Sequence, residues 1–368
     1  LATDDPVRIE RPELEAAFDA LPAEDRELLE RSAERIRRFA RAQRNCLSDL
    51  EVENSGLRMG HRVTPVPVAG CYAPGGRFPL PSTVLMTSIT AREAGVDEVV
   101  VASPRPTPVT LAAAAVAGAD ALVAVGGAHA IAAMAYGTGS IPACDVIVGP
   151  GNAWVTAAKQ IVAGEVRIDS LAGPSELLVV VDHETDPALV AGDLLAQAEH
   201  DPLAVPSLIA LDETCIDAIE SELDRQLADL STAETARAAL GNGFVIVVEN
   251  ANEAARLCNE IAPEHLQWMA EDRDPVASLI HFGGLFIGDG AAEVLGDYGA
   301  GPNHVLPTGG TARSRGGLSV LDFVKVSTWM EAGETGDSEA VARDAARLAD
   351  LEGLAGHARA ARQRLRKR

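Results

Sequence analysis

The chain has 368 residues, 47% of them hydrophobic, and a formal net charge of −23. This length is sufficient for two or more domains, each with its own core. The acidity argues against nucleic acid or an anionic membrane as a partner, because phosphate groups are recognised mainly through lysine and arginine. No apolar run approaches the length of a membrane span. We therefore expect a multi-domain protein with no nucleic-acid or membrane partner.

The start of the chain and its cysteines bear on the compartment. Leu1 opens an acidic segment, not the basic and apolar stretch of a signal peptide, which predicts a cytoplasmic location. The five cysteines are widely spaced and form no CxxC pair. Neither a disulfide framework nor a thiolate zinc site is therefore expected.

The predicted elements change type near residue 60. Residues 9–45 have a helical pattern of apolar residues among mixed charges, and residues 62–76 predict a strand that enters a Pro/Gly turn. Further on, short β-branched runs alternate with Ala-rich helical segments. The runs predict strands at 98–103, 121–127, 145–151, 176–182, 207–212 and 244–249. From Ser338 a helical pattern resumes, and two glycines within 352–357 interrupt it.

The alternation of strands and helices predicts the fold class. Near-continuous apolar strands separated by helices are typical of parallel sheets covered on both faces. Their number favours two doubly wound modules over one, with a junction near Ser175 in "LAGPSE". We predict an α/β protein with two doubly wound parallel-sheet domains: 73–175 forms one, 1–72 with 176–320 forms the other, and 321–368 is a C-terminal helical arm.

Two glycine-rich turns are candidate nucleotide sites. "VGGAHA" (125–130) and "VGPGNAW" (148–154) each close a strand and open a helix, where free backbone N–H groups can bind a phosphate. Neither turn is a GxGxxG motif, and the sequence contains no Walker A loop. Two interpretations therefore stay open: ordinary strand-to-helix turns, or a dinucleotide site at the carboxyl ends of the strands.

The segment "LLAQAEHDP" (194–202) contains a candidate pair of metal ligands. Gln197 and His200 are three residues apart in a predicted helix, so an amide oxygen and an imidazole nitrogen lie on one face about a turn apart. A single pair of this kind is also compatible with a histidine that has only a structural role.

Other polar residues occur in short motifs rich in glycine and proline. "APEHLQ" predicts a helix start in which Glu264 lies beside His265, and "GDYGAGPNHVLPT" places Asp297 in an irregular loop. Five of the eight histidines lie in such loop or helix-start settings: His129, His200, His265, His304 and His357. Each alone is compatible with a solvated or capping role, whereas together they suggest a shared site.

The donor types in these motifs indicate the chemistry. An amide, imidazole and carboxylate set without thiolates suits a catalytic Zn²⁺ or Mn²⁺ with room for substrate, more than a closed structural site. An adjacent glutamate and histidine offer one group to activate water and another to move protons near neutral pH.

These motifs, in this order, resemble histidinol dehydrogenases. The matching segments are "YAPGG" (72–76), "VLMTSITAREAGV" (84–96), "GPGNAWVTAAKQ" (149–160), "IDSLAGPSE" (168–176), "DLLAQAEHDP" (193–202), "APEHL" (262–266), "LGDYGAGPNHVLPT" (295–308), "LSVLDFVK" (318–325) and "EGLAGH" (352–357). The resemblance implies a zinc-dependent homodimer with shared active sites that oxidises L-histidinol to L-histidine with two NAD⁺, through an enzyme-held aldehyde.

The resemblance also implies an assignment of tasks to the domains. Both would be Rossmann-like, with NAD bound by 73–175 and with substrate and zinc bound by 1–72 plus 176–320. The arm 321–368 would contribute to the partner subunit's site. The implied zinc ligands are Gln197, His200, Asp297 and, from the partner's arm, His357.

Catalytic and substrate residues are implied in the same way. His265 would be the general base, and Glu264 would activate the water that hydrates the aldehyde. The implied substrate contacts are Ser175, His304 and Glu352.

The implied NAD contacts are Tyr72, His129 and Asn152. The family usually has glutamine where this chain has His129, so this position departs from the pattern.

Two other hypotheses remain open from the sequence. A relative that oxidises another small alcohol, such as a sulfopropanediol, would keep zinc and the Glu264–His265 pair but change the substrate contacts. The presence of both Glu352 and His357 favours histidinol. A metal-binding scaffold without catalysis is the third hypothesis, and the intact Glu264–His265 pair argues against it.

Overall fold

The computed structural model of the chain describes residues 7–75, 78–332 and 338–365. Its strands are β1 (Arg8–Glu10), β2 (Leu50–Asn54), β3 (Leu57–Pro65), β4 (Val68–Tyr72), β5 (Glu98–Ala102), β6 (Ala121–Val123), β7 (Val146–Val148), β8 (Arg167–Ile168), β9 (Glu176–Val181), β10 (Val205–Ala210), β11 (Val245–Val247), β12 (His265–Trp268), β13 (Gly284–Ile287) and β14 (Val324–Ala332).

The helices of the same residues lie mostly between these strands. They are α1 (Arg11–Asp19), α2 (Ala23–Asn45), α3 (Pro81–Ala94), α4 (Pro108–Ala117), α5 (Gly127–Tyr136), α6 (Ala153–Val162), α7 (Pro187–Ala198), α8 (Ile216–Asp229), α9 (Ala233–Leu240), α10 (Ala251–Ile261), α11 (Glu293–Asp297), α12 (Glu339–Leu351) and α13 (Ala355–Arg362). Short 3₁₀ turns lie at Glu213–Cys215, Asp274–Ser278, Thr311–Arg313 and Val320–Phe323.

The chain divides into two compact units. The first consists of the chain up to Arg44 together with Val66–Phe323, and the second of Asn45–Pro65 together with the chain from Val324 onward. Both parallel sheets belong to the first unit, so the candidate functional residues from β4 to the loop after α11 lie within one compact body.

The first parallel sheet has the strand order β1-β6-β5-β4-β7-β8. Strands β4 to β8 pair in parallel, while β1 pairs antiparallel with β6 at one edge. The central strands are fully buried at Val99, Val100 and Val101, because helices cover both faces of the sheet. These buried β-branched runs are the strands that the sequence pattern predicts.

The second parallel sheet has the order β11-β10-β9-β12-β13, and all of its strands run parallel. Apolar clusters cover its two faces, one beneath α10 around Trp268 and the other beneath α7 and α8 around Val179. Helix α7 starts at Pro187, with Asp186 as its N-cap through a hydrogen bond from the Ala188 N–H. It buries Val190 and Leu194 against the sheet.

The N-terminal strands differ from the predicted domain boundaries. The prediction groups residues 1–72 with 176–320, whereas β1 pairs with β6 and β4 pairs with β5 in the first sheet. β4 lies at the centre of that sheet because its buried apolar residues fill the position between β5 and β7. The predicted helical segment 9–45 correspondingly begins with a strand residue, Ile9, before α1 and α2.

The second unit contains the three-stranded antiparallel sheet β14-β3-β2 and the helices α12 and α13. The predicted strand 62–76 is divided between β3 and β4, and its last residue, Gly76, lies outside the described residues. The break between α12 and α13 falls at Gly353, which adopts a left-handed φ of 78°. This break matches the interruption that the two glycines predict.

The predicted α/β class with two parallel sheets and a C-terminal helical segment is confirmed. Among the residues that the structure describes, no helix combines the length and the apolar character needed to cross a membrane.

Candidate active site

The candidate active site lies at the amino edge of the second sheet. Glu176 is the first residue of β9 and His265 the first of β12, and these strands are neighbours. Helix α7 runs back from the carboxyl edge, so its last turn brings Gln197 to the same place. Asp297 ends the short helix α11, which follows β13. The return of each helix to the amino edge therefore gathers residues that are far apart in sequence.

A buried left-handed turn introduces the Glu264–His265 pair. Ala262 ends α10 with φ 54°, a strained value for a residue with a Cβ, and is fully buried. The predicted helix start at this position is wrong, because the chain leaves Ala262 as an extended segment and forms β12. His265 and Gln267 consequently share one face of the strand, opposite Leu266.

His265 has one ring nitrogen fixed and the other free. Its Nδ1 lies 2.9 Å from the backbone carbonyl oxygen of Glu176. A carbonyl oxygen only accepts, so Nδ1 carries the hydrogen and donates it, which leaves Nε2 as the basic nitrogen. Nε2 is buried and lacks a hydrogen-bond partner among the described residues. Burial lowers the pKa of His265, against the opposing charge of Asp297. The neutral ring is thus ready to accept a proton at Nε2.

Glu264 is buried behind His265. Its Oε2 accepts a hydrogen bond from the Glu176 N–H at 2.8 Å and lies 3.5 Å from His265 Nδ1. Burial raises the pKa of this carboxyl well above its ordinary value, while hydrogen bonds from the Glu176 backbone and from Ser175 lower it. Ser175 is half-buried, and its side chain hydrogen-bonds Glu264. From the sequence, Ser175 is predicted to contact the substrate.

Asp297 is the common neighbour of three histidines. Its Oδ2 lies 3.5 Å from His200 Nε2, and its Oδ1 lies 3.9 Å from His265 Nε2 and 4.0 Å from His304 Nδ1. His304 Nδ1 also donates to the Asp297 backbone oxygen at 2.9 Å, and its Nε2 faces the Thr83 hydroxyl at 3.1 Å. The predicted residues Asp297, His200, His265 and His304 therefore form one cluster.

The candidate metal position lies between His200, Asp297 and Glu293. A nitrogen or oxygen from each of these side chains lies within 4.8 Å of the others. Gln197 is fully buried beside them, and one end of its amide lies 2.9 Å from Glu293 Oε1 and 3.2 Å from Oε2, the end that is assigned as the nitrogen because it faces only acceptors. The structure thus brings together Gln197, His200 and Asp297, three of the predicted zinc ligands.

The donor set fits a catalytic zinc ion. Imidazole nitrogen, carboxylate oxygen and amide oxygen are borderline and hard donors without thiolate, and three protein ligands leave room for substrate. His200 is exposed on its solvent side, which provides access. His265 Nε2, the buried nitrogen without a partner, lies at the edge of the same cluster. These residues therefore fit a metal ion that holds substrate in front of a base.

Three site residues were not predicted from the sequence. Glu293 lies four residues before Asp297 and so on the same face of α11, a spacing that could have identified it. Glu176 supplies its backbone to both His265 and Glu264 and lies inside the "GPSE" motif. Thr83 reaches His304 from α3, and no spacing in the sequence indicates that contact.

The predicted nucleotide residues lie at the opposite, carboxyl edge of the first sheet. Tyr72 ends β4, and its hydroxyl accepts a hydrogen bond from the Gly127 N–H at 3.1 Å. Asn152 is the N-cap of α6, where its side-chain oxygen accepts from the Trp154 and Val155 N–H groups. His129 is exposed in the first turn of α5. All three therefore flank one edge, around the crevice between β4 and β7.

The backbone at this edge is closely packed. Gly149 has φ 113°, and a Cβ there would lie 2.0 Å from the Tyr72 carbonyl oxygen. Its N–H donates to Asp169 Oδ2 at 2.6 Å, and its carbonyl accepts from the buried Lys159 ammonium, which also pairs with Asp169. Gly126 caps α5 without a side chain and the Gly127 N–H donates to the Tyr72 hydroxyl, so the Ala128 and His129 N–H groups of that first turn are the ones left for a phosphate.

Glu352 and His357 lie in the second unit. Glu352 is the C-cap of α12 and His357 lies in α13, and both side chains are exposed. Their predicted roles in a partner subunit's site stay predictions.

Together the two sheets and the clustered Glu, His and Asp side chains define an α/β enzyme with a candidate metal centre and, at another edge, a candidate nucleotide site rich in glycine. Comparison with known proteins gives the particular family. The profile of the histidinol dehydrogenase family matches residues 2–365. The chain belongs to this family and is an oxidoreductase.

Individual relatives agree with this assignment. A histidinol dehydrogenase from Thermus thermophilus is 48% identical over 345 residues, which cover 93% of this chain and 83% of the relative. One from Parasynechococcus marenigrum is 46% identical over 369 residues, covering 98% and 84%. The crystal structure of histidinol dehydrogenase from Elizabethkingia anophelis superposes with a TM-score of 0.92 at 33% identity, covering 98% of this chain and 84% of that one.

Proposed function

We propose that this protein oxidises L-histidinol to L-histidine, the closing steps of histidine biosynthesis, by two successive hydride transfers to NAD⁺ with a zinc ion at the substrate. The observation that carries the proposal is the buried Nε2 of His265, which lies beside Asp297 and His200 and has no hydrogen-bond partner in the described part of the chain. A base next to a metal-binding cluster is what removal of an alcohol proton requires.

His265 acts as the base in this account. Its Nδ1–H is held by the Glu176 carbonyl oxygen, so Nε2 faces the site in the tautomer that accepts a proton. When hydride leaves the substrate carbon for the cofactor, the hydroxyl proton moves to this Nε2, and the alcohol becomes an aldehyde. Burial keeps the ring neutral before the step, because it lowers the pKa of His265.

Glu264 acts on water in the second half of the reaction. The water adds its oxygen to the aldehyde carbon and gives one proton to the Glu264 carboxylate, which yields the singly charged anion of the hydrate. A second hydride then leaves the same carbon and a hydroxyl proton is released, so the product is the carboxylate. The raised pKa of Glu264, caused by burial, makes its carboxylate a stronger proton acceptor than an exposed glutamate.

Gln197, His200 and Asp297 would hold the zinc ion, with His357 of a second copy as the fourth ligand. Bound zinc would orient the substrate and polarise its oxygen, while NAD⁺ would supply the hydride acceptor. Ser175 and His304 lie beside Glu264 and Asp297 and would contact substrate, and Glu352 would do so from the second copy.

A homodimer with shared sites is consistent with the surface of the C-terminal helices. Val341, Leu348 and Leu351 are exposed on α12, and Leu354 is exposed just after it. Burial of these side chains against a second copy would remove apolar surface from water. We infer that the C-terminal arm docks against a second copy through this apolar surface.

We also infer that the enzyme works in the cytoplasm.

NAD⁺ would bind at the carboxyl edge of the first sheet. The N–H groups of Ala128 and His129 in the first turn of α5 would face its phosphates, and Tyr72, Asn152 and His129 would flank it. In this proposal the first sheet binds the cofactor and the second sheet binds the substrate.

The test is the number of NADH molecules formed per L-histidinol consumed, run to completion with limiting substrate. Two NADH per substrate, abolished by a chelator and restored by zinc, would support the whole proposal. No NADH from the folded, zinc-loaded protein would contradict it, and other small alcohols such as sulfopropanediol would be assayed next.

A further inference from the structure

Two amide–carboxylate pairs involve helix α7, one turn apart, and the second of them is fully buried. Asp193 accepts a hydrogen bond from the Gln267 Nε2 at 2.7 Å. One end of the Gln197 amide lies 2.9 Å and 3.2 Å from the two carboxyl oxygens of Glu293, and it can donate to them only when the amide is turned so that this end is the nitrogen. Asp193 and Gln197 are at positions i and i+4, so they share a face. The first pair joins α7 to β12, and the second joins α7 to α11.

The pair at Glu293 lies at the candidate metal position. Glu293 is 3% exposed and Gln197 is fully buried. Within the described ranges no lysine, arginine or histidine forms an ion pair with Glu293. Both of its carboxyl oxygens lie within hydrogen-bond distance of the same end of the Gln197 side chain. The carboxyl group therefore faces the amide directly.

An amide has two different ends, and only one of them binds a metal. The oxygen is the ligand atom and the NH₂ group is a donor, so a glutamine turned by 180° would present the wrong end. Both carboxyl oxygens of Glu293 face this one end, and the NH₂ group is the end whose two hydrogens can be donated to both of them, whereas an amide oxygen would face at least one acceptor in either protonation state. The carbonyl oxygen of Gln197 is then the end that does not touch Glu293.

We propose that Glu293 is a positioning residue that fixes the amide of Gln197 with its nitrogen toward Glu293 and its oxygen available to the zinc ion. The inference rests on the proposed function, because it takes Gln197 as a zinc ligand. Removal of a residue that orients a metal ligand commonly weakens metal binding by roughly 10- to 100-fold.

The test measures zinc affinity of the zinc-free protein by competition with a chromophoric chelator. Glu293→Gln keeps the side-chain volume but replaces the carboxyl group with an amide that can pair with either end of Gln197. We expect its zinc dissociation constant to rise roughly 10- to 100-fold. Asp193→Asn is the matched control, because Asp193 is a half-buried carboxylate on the same helix whose hydrogen bond is with Gln267, and we expect a change of less than about twofold. Urea unfolding of each variant verifies that it is folded.

A double-mutant cycle separates positioning from direct ligation. If Glu293 acts through Gln197, Glu293→Gln will have less than about a twofold effect on zinc affinity in a Gln197→Met background. The full effect in both backgrounds would show that Glu293 acts independently and would overturn the inference. Unchanged zinc affinity of Glu293→Gln in the otherwise native protein would also overturn it, while zinc binding by that protein would leave the proposed function standing. Failure of the native protein itself to bind zinc would refute both.

Discussion

The parallel strands of the two sheets follow the same order, once the antiparallel edge strand β1 of the first sheet is set aside, and the sheets place their candidate functional groups at opposite edges. In the first sheet, Tyr72 and Gly149 lie at the carboxyl ends of β4 and β7, on either side of the crevice where the strand order reverses. In the second, Glu176 and His265 lie at the amino ends of β9 and β12, which occupy the equivalent places in the order. The general rule for such folds puts ligands at the carboxyl edge.

The difference follows from what each edge offers. At the carboxyl edge, helix N-termini present N–H groups, which suit a phosphate-bearing cofactor. At the amino edge, helix C-termini and strand starts meet, so side chains from α7 and β12 converge with an acceptor carbonyl such as that of Glu176. The rule thus locates the proposed nucleotide edge of the first sheet but not the cluster around His265 and Asp297 in the second.

The largest expected effect is at the base. His265→Asn should lower the turnover number by about a thousandfold, because general base catalysis typically contributes 10²- to 10⁴-fold, roughly. Its KM for NAD⁺ and its zinc content should change by less than about twofold, since neither rests on this ring. Steady-state kinetics and metal analysis give these quantities.

His281→Asn is the control for that substitution. His281 also has Nδ1 against a backbone carbonyl, that of Asn259 at 3.1 Å, but it lies away from the Asp297 cluster. Equal losses of turnover in the two variants would show that the effect of His265→Asn is structural and would contradict the role of His265 as the general base.

The second prediction concerns the nucleotide edge. Gly149→Ala should destabilise the fold by about 3 kcal/mol or more, because the added Cβ would meet the Tyr72 carbonyl oxygen at a left-handed φ. Gly118→Ala, at φ 80° with only ordinary contacts to Arg92, should cost about 1 kcal/mol. Urea denaturation measures both. Similar costs at the two glycines would mean that the close approach at Gly149 is not a constraint.

A smaller effect is expected when the Tyr72 hydroxyl is removed. Tyr72→Phe leaves the Gly127 N–H without its acceptor, a loss of about 1 kcal/mol, and the KM for NAD⁺ should rise about fivefold with the KM for L-histidinol unchanged. Tyr136→Phe, at an exposed position of α5, is the control. A rise in the KM for L-histidinol instead would contradict the assignment of the cofactor to the first sheet and of the substrate to the second.

The smallest effect is on stability as pH changes. The folded-state pKa of Glu264 is raised above its ordinary value of about 4.5 by burial, so the stability from this group is fully present below pH 4.5 and is lost as pH rises toward the raised value. Glu264→Gln lacks this dependence. Urea unfolding of the zinc-free proteins from pH 5 to 8 should show Glu264→Gln gaining stability relative to the unchanged chain, and a difference that does not vary with pH would contradict the shift.

The sequence pattern predicts much of the first sheet and part of the site. β-branched runs identify the buried strands because burial on both faces requires continuous apolar residues. Gln197, His200 and Asp297 are marked by motif, but Glu293 in "AAEVLGD" has the composition of an exposed helix, and its burial depends on how α11 packs beside α7. The extended start of β12 was missed because the left-handed Ala262 is a tertiary constraint that overrides the local preference.

The central claim is that the residues that bind the cofactor and the residues that bind zinc and transfer protons lie at different edges of two different sheets. The direct measurement is NADH binding, followed by its fluorescence, to the zinc-loaded protein and to the same protein after removal of zinc. The account predicts dissociation constants that agree within about twofold, while turnover is lost with the metal. A tenfold weaker binding of NADH by the zinc-free protein would show that the two sites depend on each other and would contradict the claim.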